Sequence, residues 1–162
     1  MSDARLPARP DLAAAHLKGK VEATRFVEGT PMRVRVPVAP LRREPRSDAP
    51  LDTEALFGEA VIVYENDSEG WSWVQLADDS YVGYMPTEAL GPDQSAPTHR
   101  IDALRTFVYP SPSIKEPPLT ALSFGSTIAV MGEDGKFFKT DAGFIFAMHA
   151  KPLDETEDDY AG

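Results

Sequence analysis

Hydrophobic and polar residues alternate along several short stretches of the chain, which is the pattern of half-buried β-strands. The segment MRVRVPV (32–38) alternates with a period of two and should end near Pro37, because proline cannot donate to a strand ladder. VIVYE (61–65) is rich in β-branched residues, and GWSWVQL (70–76) alternates again. The pattern predicts a chain built mainly of short strands.

Turn and helix signals refine this picture. Asp134-Gly135, between TIAVM and FFKT, is typical of a tight β-hairpin turn. DLAAAHLKG (11–19) is the one helix-like segment, with Asp11 as a candidate N-cap and Gly19 at its end. The sequence therefore predicts an N-terminal arm with one short helix, followed by strands.

The strand-rich part of the chain repeats itself loosely. ALFGEAVIVYE corresponds to LSFGSTIAVMGE, which aligns Phe57-Gly58 with Phe124-Gly125. Further on, Gly83-Tyr84 aligns with Gly143-Phe144. The segment GPDQSAP (91–97) between the copies has the composition of a domain boundary. Each copy is the length of a small domain.

Composition excludes several classes of protein. The 162 residues carry 16 basic and 26 acidic side chains, a net charge of −10, so a nucleic-acid partner is not expected. Fifteen prolines disfavour a helical bundle and suit short strands joined by turns. No run of 18 apolar residues is present, so no membrane partner is expected, and the chain has no continuous apolar leader. We expect a cytoplasmic protein.

These observations predict an all-β fold of two small β-barrels of five or six strands in tandem. The predicted organisation is an arm at 1–29, a first domain at 30–91, a second at 92–153 and an acidic tail at 154–162. The tail, DETEDDYAG, has five acids and no base, as expected of a solvated end or linker.

The ordered segments LRREP, LDTEALFGEAVIVYE, GWSWVQL and DDSYVGYMPTEAL resemble a bacterial SH3-like (SH3b) domain. Their order is similar to that of the N-terminal region of NlpC-type cell-wall cysteine peptidases, and the resemblance extends over roughly residues 15–153. It implies two SH3b domains in front of a catalytic domain with a cysteine nucleophile. This chain contains no cysteine, so we expect no enzymatic activity from it. It resembles the front part of such a peptidase, with the catalytic domain as its partner.

The resemblance also implies a binding site. In these peptidases, an acidic residue before the L-F/Y-G motif and a tyrosine before the G-aromatic motif bind the free amino end of the substrate. Asp52 and Tyr81 occupy these places. The second copy has Leu119 and Asp141 instead, so the shared fold does not require either side chain. The implied ligand is a cell-wall stem peptide with a free N-terminal L-Ala followed by γ-D-Glu, and the implied setting is recycling of cell-wall fragments.

The aromatic residues of the first copy leave a second interpretation open. Trp73 and Tyr84 align with Phe138 and Phe144, so we expect them to fill the barrel core. Trp71 aligns with Lys136 and should lie in an outward, wet position. It marks a possible groove of an SH3-like adaptor that binds extended, proline-rich peptides or a protein partner. A purely structural module is a third interpretation.

No other chemistry stands out. His16, His99 and His149 are scattered and have no ligand at metal-binding spacing, so no metal site is predicted. No phosphate-binding glycine loop or G-x-S-x-G motif is present, and no cofactor is expected.

Overall fold

The computed structural model describes residues 5–154, and it confirms the predicted all-β class. The chain forms two compact units. Unit 1 comprises the residues up to Ala55 together with Glu59–Asp93, and unit 2 comprises Leu56–Gly58 together with the residues from Gln94 onwards. The finer limits predicted for the arm, the two domains and the tail stay predictions. Apart from Asp154, the acidic tail lies outside the described residues.

Nine strands lie in the described part of unit 1, and seven of them form one sheet. The strands are β1 (Leu12–Ala14), β2 (Arg25–Val27), β3 (Thr30–Val34), β4 (Val38–Arg42), β5 (Leu51–Leu56), β6 (Ala60–Asn66), β7 (Trp71–Leu76), β8 (Val82–Pro86) and β9 (Leu90–Pro92), with a 3-10 turn at Thr87–Ala89 before the last. The seven-stranded sheet has the order β5-β4-β8-β7-β6-β3-β9. This is one or two strands more than the sequence predicts for the first domain, because MRVRVPV divides into β3 and β4 and β9 closes the edge.

The core of unit 1 is made of small and branched aliphatic side chains. Alternate residues of β6 and β7 point into it, including Val61, Val63, Val74 and Leu76. Their burial is the main stabilising contribution, about 1.5–3 kcal/mol for each larger side chain. The predicted alternation of GWSWVQL is thus present in the structure, and the core face is the one without tryptophan.

The N-terminal arm differs from the prediction. The segment 11–19 forms strand β1 and one 3-10 turn at Ala15–Leu17, so the predicted helix is wrong apart from that turn. Leu12, Ala13 and Ala14 are all fully buried, which leaves no polar face for an amphipathic helix. β1 instead pairs in parallel with β2. Asp11 does not cap a helix, because its carboxylate receives two bonds from the Arg9 guanidinium.

The arm packs on the outer face of the β6–β8 sheet. Arg9 lies 4.6 Å from the ring centroid of Trp73 and donates to Glu65 at 2.8 Å and to the Tyr84 hydroxyl at 3.1 Å. Trp73 is therefore buried, but outside the barrel core where it was predicted, and Tyr84 lies beside it. Tyr64 completes this aromatic surface at 5.8 Å from the Trp73 ring, and burial raises the pKa of its hydroxyl.

Unit 2 repeats the element order of the sheet in unit 1. Its strands are β10 (His99–Ile101), β11 (Arg105–Val108), β12 (Thr120–Ser123), β13 (Thr127–Ile128), β14 (Val130–Asp134), β15 (Phe137–Thr140), β16 (Phe144–Phe146) and β17 (Ala150–Pro152), with a 3-10 turn at Ala147–His149. β13 and β14 together correspond to β6, and β17 corresponds to β9. The predicted hairpin at Asp134-Gly135 is confirmed, with φ of 60° at Gly135.

Unit 2 has a core of its own. It contains Ile101, Val108, Leu122, Ile128 and Ile145, and Phe57 from the three-residue segment assigned to this unit. Within residues 5–154, no helix is long and apolar enough to cross a membrane.

Candidate functional site

Asp52 lies on β5, the edge strand of the seven-stranded sheet, and it is paired with an arginine. Its Oδ1 accepts a hydrogen bond from Nε of Arg43 at 2.7 Å. The Asp52 side chain is 13% exposed, whereas the Arg43 side chain is 65% exposed. Asp52 is therefore a largely buried carboxylate whose charge is balanced from the solvent side.

The loop between β4 and β5 fixes the backbone around this pair. The Arg43 N–H donates to the Pro50 carbonyl at 3.1 Å, and the Arg42 guanidinium donates to the Ala49 carbonyl at 2.8 Å. Ala49 is itself buried. Because both ends of the loop are tied to each other, the Arg43 guanidinium can move without a shift of the strands.

Arg46 balances the other acids of the loop. It binds Glu44 at 2.6 Å and Asp48 at 2.8 Å, and both of these carboxylates are more than half exposed. Asp52 differs from them in its burial, and an acceptor shielded from water binds a ligand cation more strongly than an exposed one does.

Tyr81 lies in the turn between β7 and β8 and is held from both sides. Its ring packs against the core of unit 1, and the Arg5 guanidinium lies 4.3 Å from the ring centroid. Arg5 also donates to the Asp79 carbonyl at 3.0 Å, and its own carbonyl accepts from Gln75. Within residues 5–154 the Tyr81 hydroxyl has no hydrogen-bond partner, so it can take one from a ligand.

The structure places Asp52 and Tyr81 in the same unit but does not join them directly. β4 lies between β5, which carries Asp52, and β8, which follows Tyr81. The described contacts connect Asp52 to Arg43 and Tyr81 to Arg5. One strand, β4, thus separates β5 from β8 in the sheet.

Trp71 lies away from this region. It faces Pro86 at one end of the β7–β8 hairpin, and the Gln75–Val82 pair lies at the other end, about 13 Å further along the strand at roughly 3.3 Å per residue. The ring is half-buried rather than fully outward, and its backbone N–H donates to Asp67 at 2.9 Å. Trp71 and Tyr81 thus do not form one groove.

Three arginines next to the predicted residues were missed by the sequence reasoning. Arg43 pairs with Asp52, Arg5 stacks on Tyr81, and Arg9 anchors the arm. The sequence contains a signal for the pairing of Arg43 with Asp52. Arg43 is the second arginine of the LRREP segment, and it lies nine residues before Asp52 on the other side of a turn. The arm arginines have none, because they lie more than 60 residues from their aromatic partners.

Two of the three histidines have structural partners. A ring nitrogen of His149 lies 2.8 Å from the Thr106 hydroxyl, and His99 is 2.8 Å from Thr98. Among the residues the structure describes, no three His, Cys, Asp or Glu side chains are grouped so as to hold a metal ion.

Comparison with known families places the candidate site inside a recognised domain. Residues 41–90 match the family model of the bacterial dipeptidyl-peptidase Sh3 domain. This range contains Arg43, Asp52, Trp71 and Tyr81. A search of curated proteins gives no match.

A solved structure has a similar fold. A crystal structure of an NlpC/P60 family protein from Bacillus cereus ATCC 10987 matches with a TM-score of 0.62 at 17% identity, over 76% of this chain and 56% of that one. NlpC2 and NlpC1 from Trichomonas vaginalis are 12% and 13% identical to this chain, with TM-scores of 0.35. Their matches cover 78% and 82% of this chain and 49% and 50% of theirs. The chain thus spans little more than half the length of the Bacillus cereus protein. Residues 41–90 are thus similar to a bacterial SH3-type domain, and the chain shares its fold with a protein of the NlpC/P60 family.

Proposed function

We propose that this chain is the non-catalytic substrate-recognition and domain-docking region of an NlpC-type peptidase that acts on peptidoglycan stem peptides. In this proposal, residues 30–91 and 92–153 are two SH3b domains, and the first binds the free amino end of the peptide. The cytoplasmic setting stays a prediction.

The largely buried carboxylate of Asp52 is the observation that carries the proposal. A terminal ammonium needs an anionic acceptor, and a hydrogen bond between charged groups contributes about 1.5–3 kcal/mol. Asp52 supplies the acceptor at the sheet edge, within the residues matched by the Sh3 model. The Tyr81 hydroxyl supplies a second polar group beside an apolar ring wall.

The surface of unit 2 supports the docking part of the proposal. Leu104 and Met148 are 90% and 82% exposed, and Phe124 is 55% exposed. The Phe124 N–H donates to the Leu104 carbonyl, so these two apolar side chains come from adjacent backbone. Contiguous apolar patches are typical of surfaces that pack against another domain. The catalytic domain of the parent protein is the partner we propose for them.

Binding of a stem peptide to the full chain tests the proposal. The probe is L-Ala-γ-D-Glu-meso-diaminopimelate, and its N-acetylated form is the control ligand, with dissociation constants measured by NMR titration. We expect millimolar binding, about −4 kcal/mol, because the chain offers part of a cleft. Acetylation and Asp52→Asn should each weaken binding about tenfold to a hundredfold, and acetylation should not weaken the variant further.

Asp48→Asn is the matched control, since Asp48 is an exposed acid of the same loop that pairs with Arg46. It should bind the peptide as the wild type does. Equal acetylation penalties in wild type and Asp52→Asn would contradict the proposal. Binding of a proline-rich peptide that depends on Trp71 would favour the adaptor instead.

A further inference from the structure

The bond between Arg43 and Asp52 uses only part of each side chain. Arginine and aspartate commonly pair through two parallel hydrogen bonds, but here the one bond joins Arg43 Nε to Asp52 Oδ1. Within residues 5–154, Asp52 Oδ2 and the two terminal nitrogens of Arg43 have no hydrogen-bond partner. The pair therefore offers an anionic acceptor and a cationic donor next to each other.

The environment keeps both groups available. The neighbouring acids Glu44 and Asp48 are bound by Arg46, so they do not compete for Arg43. The Arg43 side chain is 65% exposed and can turn its guanidinium edge toward a ligand while its backbone stays fixed. Asp52 is held in the sheet and cannot move in the same way.

We propose that Arg43 and Asp52 together bind a zwitterionic peptide end, with the ligand's ammonium at Asp52 Oδ2 and a ligand carboxylate at the terminal nitrogens of Arg43. This inference rests on the proposed function and makes Arg43 a specificity-determining residue. The guanidinium edge is suited to this role, because its paired N–H donors match the geometry of a carboxylate.

The ligand chemistry that fits is a peptide with a carboxylate one residue after a free amino terminus. A γ-linked glutamate in the second position keeps its α-carboxylate free, whereas an ordinary α-linked peptide uses that group in the next peptide bond. Two residues span at most about 7 Å, so the two charges of such a ligand lie close together. Arg43 would thus select peptides whose second residue has a free α-carboxylate, which Asp52 alone cannot do.

A comparison of two peptides and three proteins tests the inference. The peptides are L-Ala-γ-D-Glu-meso-diaminopimelate and its counterpart with an α-carboxamide on the second residue. The proteins are the full chain, Arg43→Gln and the control Arg46→Gln, which removes an exposed arginine of the same loop that does not contact Asp52. Dissociation constants come from NMR titration, and the amide spectrum of each variant reports its fold.

We expect the wild type and Arg46→Gln to bind the carboxylate peptide about tenfold more tightly than the carboxamide. Arg43→Gln should bind both peptides equally within about twofold. Undiminished discrimination by Arg43→Gln, or no binding of either peptide by the wild type, would overturn the inference. If discrimination is undiminished but N-acetylation still abolishes binding through Asp52, the proposed function stands and the role of Arg43 alone is refuted.

Discussion

Replacement of Arg9 by methionine should loosen the N-terminal arm from the first barrel, because the Arg9 guanidinium joins the two through Glu65, Tyr84 and Trp73. It binds Glu65 at 2.8 Å, touches the Tyr84 hydroxyl and lies over Trp73, and its side chain is 18% exposed. Burial lowers the pKa of Arg9, but the hydrogen bonds to Asp11 and Glu65 outweigh this and raise it overall. The charged form of Arg9 is therefore stabilised by its partners, whereas methionine keeps only the apolar part of the side chain.

The expected loss of unfolding free energy is about 2–4 kcal/mol. The half-buried bond to Glu65 contributes about 1.5–3 kcal/mol and the contact with Trp73 about 0.5–2 kcal/mol. The bond to Asp11 adds little, since that carboxylate is 66% exposed and such pairs contribute about 0–1 kcal/mol. The expected loss is smaller than the sum of the upper values, because a group that loses its bond to Arg9 can form a hydrogen bond with water instead.

Urea unfolding followed by tryptophan fluorescence measures this loss in unit 1 alone, because both tryptophans, Trp71 and Trp73, lie there. Amide exchange at Leu12–Ala14 reports whether the arm opens before the barrel. Arg25→Met is the matched control, since Arg25 approaches the same Glu65 at 3.9 Å from an exposed position. Equal unfolding free energies for the two variants, within about 0.5 kcal/mol, would refute the role of Arg9.

Three further predictions follow from other parts of the chain. Gly58 and Gly125 have φ of 89° and 93°, so replacement of either by alanine should lower the free energy of unfolding by about 1–2 kcal/mol. The loss should be larger at Gly58, where a Cβ overlaps Thr127. Far-UV circular dichroism during urea unfolding measures both losses, and equal losses would contradict the prediction. The hydrogen bond from Arg9 lowers the pKa of Asp11, so the wild type should be more stable than Asp11→Asn. This difference in unfolding free energy should have its full value above the ordinary carboxyl pKa of 3.8 and be lost as pH falls below it. A difference that does not change with pH would contradict the prediction. The purified chain should not hydrolyse stem peptides, because it has no cysteine, and product formation followed by mass spectrometry would show otherwise.

The strands of this chain could be predicted because each alternation is local, but the identity of the core face could not. The partition of GWSWVQL into two faces is correct, and large aromatic residues suggested the wrong one as the interior. The small barrel is filled by Val74 and Leu76, whereas Trp73 is covered by Arg9 from the arm. A contact between residues 64 positions apart leaves no local signal.

The predicted helix at 11–19 is wrong for a related reason. Its alanines have high helix propensity, but propensity is a weak preference that tertiary packing overrides. Leu12–Ala14 are buried on every side and pair with Arg25–Val27, which a helix would not allow. The 3-10 turn that follows is the part of the prediction that remains.

The repeated F-G motif shows how one pattern can serve two purposes. Gly58 and Gly125 both adopt a positive φ, so the glycine marks the same turn in each copy. The phenylalanines differ, since Phe57 is 5% exposed and Phe124 is 55% exposed. The aligned glycines thus mark the same backbone turn in both copies, whereas the aligned phenylalanines are not equally buried.

The second copy also separates what the fold needs from what Asp52 and Tyr81 add. At the place of Asp52 it has Leu119, which is 63% exposed, so no charge is needed there to complete the sheet. At the place of Tyr81 it has Asp141, whose carboxylate accepts the Ala129 N–H at 2.9 Å and thereby supports its own loop. A buried charge costs free energy unless it is compensated, and Arg43 compensates only one oxygen of Asp52. The fold thus needs no carboxylate at this position, and the partly used Asp52–Arg43 pair is the basis of the ligand site proposed above.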